Sequence, residues 1–151
     1  MTRLREPLTY FVDRSLGGKV VAEALRAAGA VVARHDDHFA PDDPDERWLA
    51  HVGTAGWVAL TKDERILHRP AELKALFEAA TAVFVFVGGD ARGADIARAW
   101  VAALPVMQSV VRDTDVPFVA RVYADGSVSL TLTADGVAQR TRRKHAKPGS
   151  R

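Results

Sequence analysis

The sequence predicts a three-layer α/β/α fold built on a doubly wound, mostly parallel sheet, and three observations predict it. Short, largely apolar runs recur at residues 8–12 (LTYFV), 57–60 (WVAL) and 82–87 (AVFVFV), the last two without a polar break. Such runs suit strands buried on both faces, as in a parallel sheet. Segments of helical period separate them, and strand–helix alternation at this spacing means right-handed crossovers that cover both sheet faces. Finally, the chain holds too few strands to close a barrel, and neither an internal repeat nor a domain linker interrupts it.

Taken in order, strand one (residues 8–12) runs straight into Asp13, followed by Arg14, Ser15, Leu16 and the Gly17-Gly18 pair. Val20, Val21, Ala24, Leu25 and Ala28 then predict helix one by their spacing, with Gly29 as its C′ residue. Residues 30–33 predict strand two, and the loop HDDHFAPDDPD after it is dense in acid and proline. Asp43-Pro44-Asp45-Glu46 predicts the start of helix two, with Asp43 as N-cap, Pro44 at N1 and Glu46 as the N3 acid of a capping box. Trp48, Leu49 and Val52 form its inward face, and Gly53 or Gly56 stops it.

Strand three lies in residues 56–66 (GWVALTKDERI), where the apolar run passes into Thr61, Lys62 and Asp63. Pro70 starts helix three, with Leu73, Leu76, Phe77 and Ala80 inward. Strand four is Ala82–Val87, closed by Gly88-Gly89-Asp90. Residues from about 92 to 113 have helical period, and Pro105 inside them predicts a kink or a split. Phe118–Tyr123 and residues 127–131 alternate around Ala124-Asp125-Gly126, an edge hairpin with a type I′ turn at Asp125-Gly126.

Composition bounds the class. A chain of 151 residues, 48% hydrophobic and 26% charged, fits one globular domain with a tail: residues 1–135, then 136–151. No run approaches the roughly 18 apolar residues that cross a bilayer, so no membrane is expected as partner. The first ten residues carry charge but no signal-peptide core, and cysteine is absent, so the cytoplasm is the expected location. The formal net charge of +2 hides an asymmetry, because the tail holds six cations and no acid, leaving −4 on the body. Arg140, Arg142, Arg143 and Lys144 read either as a nucleic-acid-binding arm or as a disordered, solubilising terminus.

Two buried strands that each deliver an aspartate to the same edge make a candidate site, since ligand crevices of open α/β sheets lie at the carboxyl ends of strands. If strand three lies beside strand one (order 2-1-3-4), those ends are about 4.8 Å apart; an intervening strand would double the gap. The acids favour the first order, which also requires helices one and two on opposite faces. Converging carboxylates suit Mg²⁺ or another hard cation, and such an ion can activate water against a phosphodiester. Asp13 and Asp63 are the candidate ligands, with Asp45 as a third carboxylate from helix two. Ser15 and Thr61 are candidates to orient water or a phosphate oxygen, and Arg14, Lys62 and Arg65 to hold a substrate backbone. Each acid also has a plainer use: Asp63 as the cap of a short turn at Glu64–Leu67, Asp13 as a cap of the loop into helix one (where Ser15 is better placed), and Asp45 as a first-turn acid favoured by the helix dipole.

The HDDH stretch at residues 35–38 finds no third ligand at characteristic spacing, although Asp36 or His38 can line the same crevice. His51 and His68 are isolated, and Trp48, Trp57 and Trp100 fall at core positions rather than as base-stacking platforms.

These motifs resemble PIN-like domains, specifically the short prokaryotic branch that includes VapC-type toxin ribonucleases. The family's strand ending in Asp, acid early in a helix, and strand ending in T-x-D read here as FVDRSLG with Asp13, PDERWL with Asp45, and LTKDERI with Asp63. The resemblance covers residues 8 to about 90. It implies an endoribonuclease dependent on Mg²⁺ or Mn²⁺ with Asp13, Asp45 and Asp63 as its acids, an RNA substrate, a cognate antitoxin partner, and strand three beside strand one. Many PIN nucleases use four acids; here Glu46, Asp36, Asp37 and Asp90 compete for the fourth place. Two other readings stand beside it. One is a non-catalytic module of this fold that binds RNA or protein. The other is a phosphoacceptor receiver, which lacks its paired acids after strand one and its lysine after strand five. Apolar residues at 102–111 are open both to a homodimer face and to packing within the monomer.

Overall fold

The structure, a computed structural model, describes residues 3–136 apart from 5, 18 and 90. Asp90 and the predicted tail cations Arg140, Arg142, Arg143 and Lys144 therefore lie outside the described residues. Six strands, β1 (Thr9–Val12), β2 (Val31–Arg34), β3 (Val58–Thr61), β4 (Ala82–Val87), β5 (Phe118–Tyr123) and β6 (Val128–Leu132), form one sheet in the order β2-β1-β3-β4-β5-β6. All neighbours are parallel except β5 and β6. Among the described residues four helices cover it: α1 (Val20–Ala27), α2 (Asp45–Ala55), α3 (Pro70–Glu78) and α4 (Gly93–Asp113).

Alternating side chains of the strands feed two cores. Tyr10, Val12, Leu60 and Phe84 pack with α1 and α4 on one face. Phe11, Ala59, Val83 and Val85 pack with α2 and α3 on the other. At roughly 1.5–3 kcal/mol per fully buried large apolar side chain, this two-sided burial is what holds short four-residue strands in place. Because α1 and α2 sit on opposite faces, the winding reverses between β1 and β3. The predicted order therefore puts the switch point, where folds of this kind place their ligand crevices, at the ends of those two strands. Val12 is in register with Leu60, so Asp13 and Thr61–Asp63 leave the sheet side by side.

Several local expectations are corrected. In α1 the inward residues are Val21, Ala22 and Leu25, while Val20 is 55% exposed and Ala28 lies outside; the helix packs on α4 as well as on the sheet, which turns its buried stripe. In α2 the N-cap is Pro44 and no side chain caps the helix, so Asp43 is not the cap and Glu46 closes no capping box. Asp43 instead accepts from the Ala40 amide (2.8 Å) and from Arg47 (3.2 Å), closing the loop before the helix. In α3, Phe77 is 38% exposed and Glu72 takes its inward place beside Leu73 and Leu76, while Ala80 lies past the helix end in the left-handed region (φ 55°).

Pro105 neither splits nor ends α4. It is exposed, and Ala103, Leu104 and Met107 hold the inward face against the core firmly enough to absorb the roughly 3 kcal/mol that an interior proline costs. Most of the apolar stretch 102–111 is thus used inside the monomer, with Val106 the large side chain left outward. The hairpin turn is not type I′. Gly126 N–H bonds the Tyr123 carbonyl at 2.8 Å and Gly126 alone takes a positive φ (85°), the pattern of a type I turn followed by a glycine bulge. No helix is long and apolar enough to cross a membrane among the described residues.

Candidate functional site

Each of the first three strands ends in a short 3-10 turn at the same sheet edge: Arg14–Leu16, His35–Asp37 and Glu64–Leu67. Asp13 is the N-cap of the first. Its buried carboxylate accepts through Oδ2 from the hydroxyls of Ser15 (2.8 Å) and Thr61 (2.8 Å) and from the Ser15 amide (3.4 Å). Those hydroxyls are themselves fixed by strand three's exit: Lys62 N–H donates to Ser15 Oγ (2.9 Å) and Asp63 N–H to Thr61 Oγ1 (3.1 Å). Thr61 therefore links the two predicted aspartates, one hydrogen bond to each. Oδ1 of Asp13 takes part in no hydrogen bond among the described residues.

Asp63 is the N-cap of the third turn, accepting from the Arg65 amide (3.0 Å) and from Arg65 Nε (2.9 Å) through Oδ1. Burial pushes its carboxyl up, but the Arg65 hydrogen bonds and the charges of Arg65 and Arg69 outweigh that and hold it below the usual aspartate value. Asp45, in the first turn of α2, accepts from the indole N–H of Trp48 at 3.0 Å. Arg69 joins the two, with Nη1 3.8 Å from Asp45 Oδ2 and 3.9 Å from Asp63 Oδ2. The same nitrogen donates to Glu72 Oε1 at 3.2 Å.

The other predicted residues divide. Ser15 and Thr61 sit against Asp13. Arg65 is committed to Asp63. Arg14 reaches the other way, to Asp36 (3.5 Å) and the Pro41 carbonyl (2.7 Å), tying the β1 exit to the β2 exit. Asp36 is exposed and paired with Arg14 and Arg34. Lys62 and Glu46 make no side-chain hydrogen bond or ion pair among the described residues, though Glu46 is close enough to raise the Glu72 carboxyl. Trp48 and Trp100 are core residues as expected. His38 and His51 lie near Trp57 in an aromatic cluster, with ring centroids 5.3 and 5.1 Å from the indole.

Sequence reasoning missed Arg69 and Glu72. Glu72 is an acid buried at the rim, and burial foremost raises its carboxyl above the usual glutamate value. The available signal was the period itself: 69, 72, 73 and 76 share one helix face, and an acid on an inward face needs a partner.

Among the described residues, no group of three or more acids and histidines converges tightly enough to hold a metal ion as it stands. The donor chemistry nevertheless fits a hard cation. All donors are carboxylate oxygens, and each aspartate keeps one that is weakly engaged: Oδ1 of Asp13, Oδ2 of Asp45, and Oδ2 of Asp63, whose nearest hydrogen bond is 3.4 Å long.

Comparison with known proteins gives one family and one relative. The family model described as "PIN like domain" matches residues 8–88, the segment from β1 to just past β4. A protein of Mycobacterium tuberculosis named "Putative ribonuclease VapC45" is 27% identical over 117 residues, covering 75% of this chain and 84% of that protein. No solved structure matches the chain.

Proposed function

Since the chain belongs to the PIN-like domain family, we propose that it is a metal-dependent endoribonuclease, the toxin of a toxin–antitoxin pair acting in the cytoplasm. The observation that carries this reading is the rim at which β1 and β3 end. Hydrogen bonds run from the Asp13 carboxylate through the Thr61 hydroxyl to the Asp63 amide, and the charge of Arg69 bridges the Asp63 and Asp45 carboxylates at 3.9 and 3.8 Å. The M. tuberculosis relative, named as a ribonuclease, supports the substrate class.

Asp13, Asp45 and Asp63 are the residues that would hold Mg²⁺ or Mn²⁺, which when bound supplies a polarised water and offsets charge gathering on the phosphodiester. The chain's own contribution is orientation. Ser15 and Thr61 fix the Asp13 carboxylate by bonding one oxygen only. Arg65 orients Asp63, bonding Oδ1 from its amide and Nε and Oδ2 only weakly, at 3.4 Å. Lys62, at the exit of β3, is the point charge at the crevice for backbone phosphates, Arg14 being engaged by Asp36 and the Pro41 carbonyl, and the basic tail adds sequence-independent affinity. The antitoxin partner is a protein that covers this acidic rim.

The test is cleavage of single-stranded RNA by the purified chain with Mg²⁺ or Mn²⁺, abolished by chelation. Intact RNA under both metals contradicts the reading. One observation favours the non-catalytic alternative: Asp13 and Asp63 both cap 3-10 turns, a use that needs no chemistry. Asp13→Asn separates the two.

A further inference from the structure

We infer that Arg69 is a resident cation of the acidic rim, holding Asp45 and Asp63 together and competing with a divalent ion for their oxygens. The inference rests on the metal-dependent reading and deepens it.

Three carboxylates surround one guanidinium nitrogen. Among the described residues only Glu72, at 3.2 Å, is a hydrogen-bond partner of Nη1; Asp45 and Asp63, at 3.8 and 3.9 Å, are held by charge. Those two contacts fall on the same oxygens, Oδ2 of each aspartate, that are least engaged elsewhere and so best able to ligate a cation. Without Arg69, Asp45 and Glu72 would repel across a partly buried rim.

The arrangement is built to release as well as to hold. Arg69 precedes Pro70, which confines its backbone to the extended region (φ −98°, ψ 120°), so its side chain starts from a fixed point. The side chain is 40% exposed and can swing outward, whereas Glu72, 7% exposed and bonded to nothing else among the described residues, cannot follow it far. A divalent ion entering the rim brings two charges to hard oxygens that now share one, and pushes the guanidinium aside. Arg69 then stays on its Glu72 tether at the crevice mouth. The apparent metal affinity of the resting protein is lowered accordingly.

The test is Mn²⁺ binding by the full chain without RNA, with free ion counted by electron paramagnetic resonance. Arg69→Gln is expected to bind Mn²⁺ roughly tenfold tighter, the effect of removing a nearby cation at partly screened range. Arg69→Met, which keeps the aliphatic stem, carries the same expectation should the glutamine variant not fold. Arg69→Lys retains the charge and should stay within about twofold of wild type. Arg47→Gln, which breaks the exposed pair with Asp43, should match wild type. Binding by wild type with equal or weaker binding by the neutral variants overturns the inference and leaves the metal-dependent reading intact. So does a lysine variant that gains as much as the glutamine one. Failure of every variant and wild type to bind Mn²⁺ removes both.

Discussion

Asp13→Asn separates a carboxylate needed for its charge from one needed for its shape. Asp13 caps the turn Arg14–Leu16 and accepts two hydroxyls and one amide, all on Oδ2. Asparagine is as good a cap as aspartate, and its amide oxygen can accept the same three donors. What it loses is charge assistance, a difference of about 1 kcal/mol in the folded state. For a chain of this size that is a fall of about 2–4 °C in melting temperature. Asp13→Ala is harsher, since it strips the buried Thr61 hydroxyl and Ser15 of their acceptor at about 1–3 kcal/mol per group. The hydroxyls can offset part of this by bonding each other across their 3.1 Å separation. Against these modest structural costs, loss of a metal-binding charge should lower RNA cleavage by more than ~100-fold, beyond what losing a supporting partner of a ligand costs. The assay pairs urea melts with single-turnover cleavage under saturating Mn²⁺. An Asn variant that cleaves like wild type refutes the catalytic role, and one that melts as early as the Ala variant refutes the shape argument.

Three further outcomes are expected. Gly53→Ala should destabilise by about 2 kcal/mol or more, where an exposed helix would gain about 1, because the new Cβ would meet the Ala79 carbonyl at 2.3 Å and Thr81 Oγ1 at 2.4 Å; urea midpoints decide the sign. Arg65→Gln should cost stability that is fully expressed above the ordinary aspartate value of 3.8 and lost as pH falls through the lower folded value, because Arg65 holds the Asp63 carboxyl down. A gap from wild type that does not close in acid contradicts this. Glu72 runs the other way: burial raises its carboxyl above 4.5, so its contribution is greatest below that pH and declines as pH rises through the folded value. Glu72→Gln should therefore gain on wild type as pH climbs past 4.5, read from melts across that range.

The sheet was legible because its physics is local and repetitive. Uninterrupted runs such as AVFVFV admit only two-sided burial, and the aspartates ending the first and third strands favoured making those strands neighbours, as they are. Burial direction on helices was less legible. Val20 and Phe77 obey the helical period yet face outward, because α1 answers to α4 as well as to the sheet and because α3 buries Glu72 instead. Capping was read too literally at Asp43, whose carboxylate serves the preceding loop. The Asp125-Gly126 pair does turn the chain, but with the glycine alone in the left-handed region. Arg69 and Glu72 stayed hidden for a different reason. Helical spacing alone could have paired the two at i, i+3, but the convergence of Asp45 and Asp63 on the same guanidinium joins three chain segments and no spacing within a single element encodes it.

The central claim is that the acids at the ends of β1 and β3 hold one hard cation between them. Diffraction from Mn²⁺-soaked crystals at the manganese edge tests it most directly. The account predicts an anomalous peak about 2.1 Å from carboxylate oxygens of both Asp13 and Asp63, with Arg69 displaced. Crystals of protein that cleaves RNA with Mn²⁺, yet whose peak lies elsewhere and whose Asp13 and Asp63 still cap their turns untouched, would contradict it.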